Sequence, residues 1–176
     1  MKYHRRLAAI TIGLALLPVT PMLTNGLIPK AMGGSTTTTM TVSATVPTSC
    51  NFTGGSVALA FGSYDPTGPN ATANLNATTT FGLRCTKGAS AVLSMNNGSN
   101  ASGTQRRMTD NGTNFLNYQV YTNNTYSTIW NTTNTVSYTA TSANPTNISV
   151  YGQIPAGQTN VPAGTYHDTV VITAKY

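Results

Sequence analysis

Apolar and polar residues alternate with a period of two along most of this chain, and Gly, Pro and Asn interrupt the alternation at short intervals. Val57, Leu59 and Phe61 alternate before Gly62, and Leu75, Ala77, Thr79, Phe81, Leu83 and Cys85 form the longest run. Ala91, Leu93 and Met95 lead into an Asn96-Asn97-Gly98 turn, while Leu116, Tyr118 and Val120 follow Asp110-Asn111-Gly112. Ile148, Val150, Gly152 and Ile154 alternate up to Pro155, and Val170, Ile172 and Ala174 do so in the last strand. Successive side chains of a strand point to opposite faces, so each run predicts a strand with one buried face. The pattern is weakest over 122–147, where Trp130 and Val136–Tyr138 suggest short strands. Many short strands separated by turn residues predict an all-β sandwich of immunoglobulin type. Composition agrees: glutamate is absent, and the abundant Thr, Asn and Gly disfavour helix interiors.

Residues 35–46 read STTTTMTVSATV, which places Met40, Val42, Ala44 and Val46 on one face. The segment forms strands readily but holds no turn residue to fold it back as a hairpin. A long, flat terminal strand invites aggregation unless something covers it. Two readings follow from the pattern: an ordinary first strand of the sandwich, or a strand kept for another molecule.

The first residues belong to neither. Lys2, His4, Arg5 and Arg6 precede the apolar run Leu7–Leu17, which is too short to span a bilayer. That is the layout of a secretory signal over residues 1–33, with cleavage between 26 and 34. Ala31-Met32-Gly33 offers small residues for the cut, and Gly26 marks an earlier alternative. Removing this segment changes the charge picture. The formal charge of +6 falls to +2, because only Arg84, Lys87, Arg106, Arg107 and Lys175 remain against Asp65, Asp110 and Asp168. These cations form no sustained stripe, so no nucleic-acid partner is expected. No later segment is apolar enough to cross a membrane.

Cys50 and Cys85 are the two cysteines. In an exported chain such a pair predicts a disulfide and an oxidising compartment, for which a bacterial periplasm suits. Closing that loop stabilises the fold by about 4 kcal/mol on the chain-entropy account. Catalysis has little to work with. His167 is the only histidine after the signal, and His167 and Asp168 point to opposite faces of a predicted strand. No catalytic residue, cofactor or metal is expected, and the chain reads as a non-enzyme. Asp110-Asn111-Gly112-Thr113-Asn114 faintly resembles a calcium loop but fails the EF-hand spacing, and reads as a hairpin turn. Arg106-Arg107 reads as a solvated pair with Met108 packing beneath, and Tyr166 as a structural tyrosine near the last strand.

The landmarks also fall in a recognisable order. Thr48-Ser49-Cys50 is followed by Phe61-Gly62-Ser63-Tyr64-Asp65-Pro66 and then by Arg84-Cys85-Thr86-Lys87-Gly88. Leu116-Asn117-Tyr118-Gln119-Val120-Tyr121, Val150-Tyr151-Gly152-Gln153-Ile154 and Ala163-Gly164-Thr165-Tyr166-His167-Asp168 complete the series. This set resembles the spore coat protein U domain family, which includes subunits of archaic chaperone–usher pili of the Csu type. The resemblance implies an incomplete immunoglobulin-like β-sandwich lacking its last strand, completed by donor strand complementation. It implies a donor extension over 34–47, with Met40, Val42, Ala44 and Val46 as the inserted side chains, and a pilin domain over 48–176. The chain ending at Tyr176 adds no strand after the one carrying Val170 and Ile172, which fits that pattern.

The implied function is a structural pilus subunit, exported through the periplasm to the cell surface and serving attachment and biofilm formation. Its implied partners are identical or related pilin subunits, a periplasmic chaperone and an outer-membrane usher. The alternative is a secreted spore-coat or matrix protein that uses the same domain without building a fibre. A tip adhesin would need a second, receptor-binding domain, and the length leaves room for one domain.

Overall fold

The computed structural model describes residues 33–176. The expected export signal falls almost wholly outside them. Residues 33–43 belong to a separate unit from Ala44–Tyr176; they have no regular secondary structure and leave Met40 and Val42 exposed.

The second unit is built from eight strands: β1 (Cys50–Thr53), β2 (Leu75–Cys85), β3 (Ser90–Met95), β4 (Arg106–Thr109), β5 (Phe115–Tyr121), β6 (Val136–Thr139), β7 (Thr146–Ile154) and β8 (Ile172–Lys175). One sheet has the order β1-β2-β7-β5-β4 and the other β6-β3-β8. Every ladder is antiparallel. The longest alternating run is the longest strand, β2, which buries Phe81, Leu83 and Cys85 and exposes Thr78, Thr80 and Arg84. Its register with β7 sets Phe81 opposite Ile148 and Thr79 opposite Val150, so both inward rows share one face.

Ala91, Leu93 and Met95 of β3 close the core from the second sheet. Between the sheets lies Trp130, fully buried, with its indole N–H donating to the Leu93 carbonyl at 3.0 Å. Phe81 packs against it with ring centroids 6.1 Å apart. Cys50 and Cys85 are direct partners in the β1–β2 ladder and form the disulfide. The result is an immunoglobulin-like sandwich of a five-stranded and a three-stranded sheet.

Three expectations need correction. The alternation at Val57, Leu59 and Phe61 does not yield a strand, because the segment has no neighbour to pair with. The last ladder begins at Ile172 rather than Val170. Arg106 is not solvated but has no exposed surface at all. Over 122–147 the Val136–Tyr138 pattern becomes β6 and β7 begins at Thr146, whereas Trp130 is buried but lies in no strand.

Candidate functional site

A groove opens between the segment 54–64, which lies in no ladder, and the stretch that leads into β8. Its centre is a cavity of 390 Å³ floored by Met95, Met108, Tyr118, Val120 and Val150. A cavity of 650 Å³ continues it between Leu59–Asp65 and Val161–Tyr166, and one of 400 Å³ between Phe52–Val57 and Asp168–Ile172. The first two share Leu59, Phe61, Met108 and Tyr166, and the first and third share Val57, Asp168, Val170 and Ile172. They are therefore one continuous trough, apolar at its centre and more polar beyond Leu59–Asp65.

Its two walls are built differently. Among the described residues, no hydrogen bond ties the main chain of 54–64 to anything. Side chains hold that wall: Leu59 and Phe61 lie over Gly152, and the Phe61 ring meets Tyr118 edge-on at 6.1 Å. The opposite wall is tied down residue by residue. His167 exchanges both main-chain hydrogen bonds with Thr109 at 2.9 Å. The Ser99 N–H donates to the Thr169 carbonyl at 3.0 Å, and the Asn96 N–H to the Val171 carbonyl at 3.1 Å. The Val171 N–H donates to Asn96 Oδ1 at 2.9 Å. Hydrogen-bonding direction alternates along a strand, so Val170 and Ile172 turn their main-chain groups toward the groove.

Polar side chains lie beneath this second wall. Asp168 accepts from the Tyr118 hydroxyl at 2.8 Å, the Ser99 N–H at 3.0 Å, the Asn100 N–H at 3.1 Å and Asn100 Nδ2 at 2.9 Å. Burial, and then the Asp168 carboxylate, push the Tyr118 hydroxyl well above the usual tyrosine range. Gly98 is required beside them: its φ is +86°, and a Cβ there would collide with Asp168 Oδ2. The Arg106 guanidinium reaches the carbonyl of Asn96, Gln119 Oε1 at 3.2 Å and the Trp130 carbonyl at 2.7 Å. Burial draws its pKa down, while Tyr118 and Asp168 oppose that shift. Arg107 lies nearer the surface, bonded to the Asn100 carbonyl at 2.9 Å and stacked 4.0 Å over the Phe115 ring.

The other residues singled out in the sequence have structural roles. Tyr166 donates to the Pro162 carbonyl at 2.9 Å, a tyrosine bonded to backbone just upstream. Asp110 caps its turn by accepting from the Gly112 N–H at 2.9 Å and Asn114 Nδ2 at 2.7 Å, and these bonds lower its pKa. Thr67 and Gly68 hold Asp65 low in the same way. His167 is exposed, whereas the Asp168 carboxylate turns in to Tyr118. Met40, Val42, Ala44 and Val46 are all exposed. Sequence reasoning missed Asn96 and the burial of Arg106. The period of two, which places Arg106 on the inward face with Met108, was the available signal.

The chemistry on offer is that of an edge: apolar pockets for alternate side chains and unpaired main-chain groups on either side. Among the described residues no group of three or more His, Cys, Asp or Glu comes together, and no helix is long and apolar enough to cross a membrane.

Comparison with known proteins agrees with this architecture. In structure, the chain is similar to the CsuC–CsuE chaperone–tip adhesion subunit pre-assembly complex from archaic chaperone-usher Csu pili of Acinetobacter baumannii, with a TM-score of 0.54 and 24% identity. That likeness covers 75% of this chain and 40% of the other. In sequence, it is 32% identical over 181 residues to Protein U of Myxococcus xanthus, covering 96% of each chain. The Spore Coat Protein U domain matches residues 36–173, and with a relative of that identity along nearly the whole length, the chain belongs to the Spore Coat Protein U domain family.

Proposed function

We propose that this protein is a structural subunit of an extracellular chaperone–usher pilus, in which residues 36–46 of one copy fill the groove of the next. The observation that carries the reading is the pairing of an open trough with an exposed strand-forming segment on the same chain. Main-chain bonds to Val170 and Ile172 would supply affinity, and alternate pockets would set the register. Each large apolar side chain buried contributes about 1.5–3 kcal/mol, with less from Ala44 and part of the total offset by ordering the segment. One donor and one groove per copy make a head-to-tail contact that does not close, which is the geometry of a filament.

On this reading residues 1–33 direct export, residues 34–47 are the donor extension, and 48–176 form the pilin domain. A periplasmic chaperone covers the groove before assembly, an outer-membrane usher presents the subunit, and the fibre supports surface attachment and biofilm formation. The fold shared with a chaperone–subunit complex supports the chaperone step.

The end-to-end match to Protein U favours a second reading, a secreted coat or matrix protein that uses the same domain without a fibre. A synthetic peptide of residues 35–47, offered to a subunit truncated before Thr48, tests strand capture: binding with a raised melting temperature is expected. Electron microscopy of the full chain then separates the two readings, since only the pilin forms filaments.

A further inference from the structure

The two walls of the groove differ in what holds them. We infer that they act in order: the edge at Thr169–Ile172 captures the incoming strand first, and the segment Val57–Phe61 pairs with it afterwards. Asn96 and Asp168 are the positioning residues of that first edge. The inference rests on the proposed capture of a second copy's residues 36–46, and it adds which wall templates the strand and which residues hold it ready.

Asn96 does this through a substitution in the ladder. Its own carbonyl is taken by the Arg106 guanidinium. Its side-chain Oδ1 therefore accepts the Val171 N–H in place of that carbonyl, while its N–H donates to the Val171 carbonyl. Val171 is thus satisfied on the side away from the groove. Asp168 sits three residues earlier and gathers Ser99, Asn100 and Tyr118 around one carboxylate, which pins the 96–100 turn against the same stretch. The alternate residues, Val170 and Ile172, are left with their main-chain groups held in strand geometry toward the trough.

The opposite wall has no such frame. Val57–Phe61 lies in no ladder, and its alternate side chains Leu59 and Phe61 merely rest on Gly152 and Tyr118. A preorganised edge loses little further entropy on pairing, whereas a loose one must be ordered in the act. The incoming strand therefore gains bonds first along Thr169–Ile172.

Hydrogen exchange and binding kinetics test the order, using the full chain from residue 34 with Val42→Asp, which keeps its own segment out of neighbouring grooves. In the free chain the Ser99, Asn100 and Val171 amides should be protected and the Val57, Leu59 and Phe61 amides unprotected. Protection of the latter should appear only when peptide 35–47 binds. Asn96→Ala should slow peptide association about tenfold, the equivalent of one hydrogen bond, with β2 amide exchange unchanged. Asn96→Asp, which keeps an acceptor for the Val171 N–H, should restore much of the rate.

Protected Val57–Phe61 amides in the free chain would overturn the inference. So would an association rate unmoved by Asn96→Ala while exchange rises throughout the sandwich, which is the mark of a merely structural residue. If the peptide does not bind the Val42→Asp chain at all, the pilin reading fails, and the exchange pattern alone still decides whether the walls differ.

Discussion

Gly152 lies under Phe61: a Cβ on Gly152 would come within 2.7 Å of Phe61 Cζ and 2.6 Å of Leu59 Cδ2. The absence of a side chain in β7 is what lets the unladdered wall of the groove settle on the sheet. Gly152→Ala should therefore lift Leu59 and Phe61 and cost about 1–3 kcal/mol through overpacking. Urea unfolding measures the loss, and adding Leu59→Ala should recover part of it. Simple additivity of the two changes would argue against contact between them.

Arg106 and Arg107 are neighbours in sequence with opposite fates, and substitution should separate them. Arg106→Ala removes the donors for the Asn96 and Trp130 carbonyls and for Gln119 from a site with no exposed surface. The expected loss is about 3–5 kcal/mol, from stranded acceptors and lost packing. Arg106→Lys should rescue little, because one ammonium cannot span three acceptors set for a planar fork. Arg107→Ala gives up one carbonyl bond and a partly exposed stack on Phe115, about 0.5–1 kcal/mol. Equal losses from the two substitutions would contradict this assignment.

That pair also marks how far the sequence could be read. β2 was legible because its alternation runs unbroken over eleven residues and is repeated by its partner β7. The period of two marks Arg106 as inward-facing, but its full burial was not legible, because the acceptors that make it tolerable come from residues 96, 119 and 130, and local pattern carries no trace of distant partners. Val57, Leu59 and Phe61 read as a strand because they are shaped like one. Whether they lie in a ladder depends on a neighbour, and among the described residues none pairs with them. The groove leaves its signature only in the two edges that flank it.

Tyr118 should make the fold sensitive to alkali. Its hydroxyl is raised above the ordinary value by burial first and by Asp168 second, so the folded chain keeps a proton that the unfolded chain releases. Below about pH 10 this contribution is fully present, and above it the unfolded state binds fewer protons and stability falls as pH rises. Urea midpoints measured from about pH 8 to 11 should decline with a slope that Tyr118→Phe reduces. At pH 8 the same substitution should cost about 1–3 kcal/mol, because Asp168 loses a hydroxyl donor. An unchanged alkaline slope in Tyr118→Phe would place the sensitivity elsewhere.

Val42 decides between a strand given away and a strand kept. It is 79% exposed in the chain that carries it, yet it lies on the apolar face shared by Met40, Ala44 and Val46. If that face enters a neighbour's groove, Val42→Asp places an unpaired carboxylate in an apolar pocket, a change that costs several kcal/mol and should abolish fibre formation. The mutated subunit's own melting temperature, measured in complex with its chaperone, should stay within about a degree or two of the parent, as expected for an exposed site. A groove-side change should do the converse: Val170→Asp should leave the subunit able to donate but unable to accept, so that it terminates a fibre instead of extending it. Mixing the two mutants should then give dimers that grow no further, which size-exclusion chromatography with light scattering would resolve. A Val42→Asp subunit that melts much lower while still polymerising would return the segment to the role of an ordinary first strand.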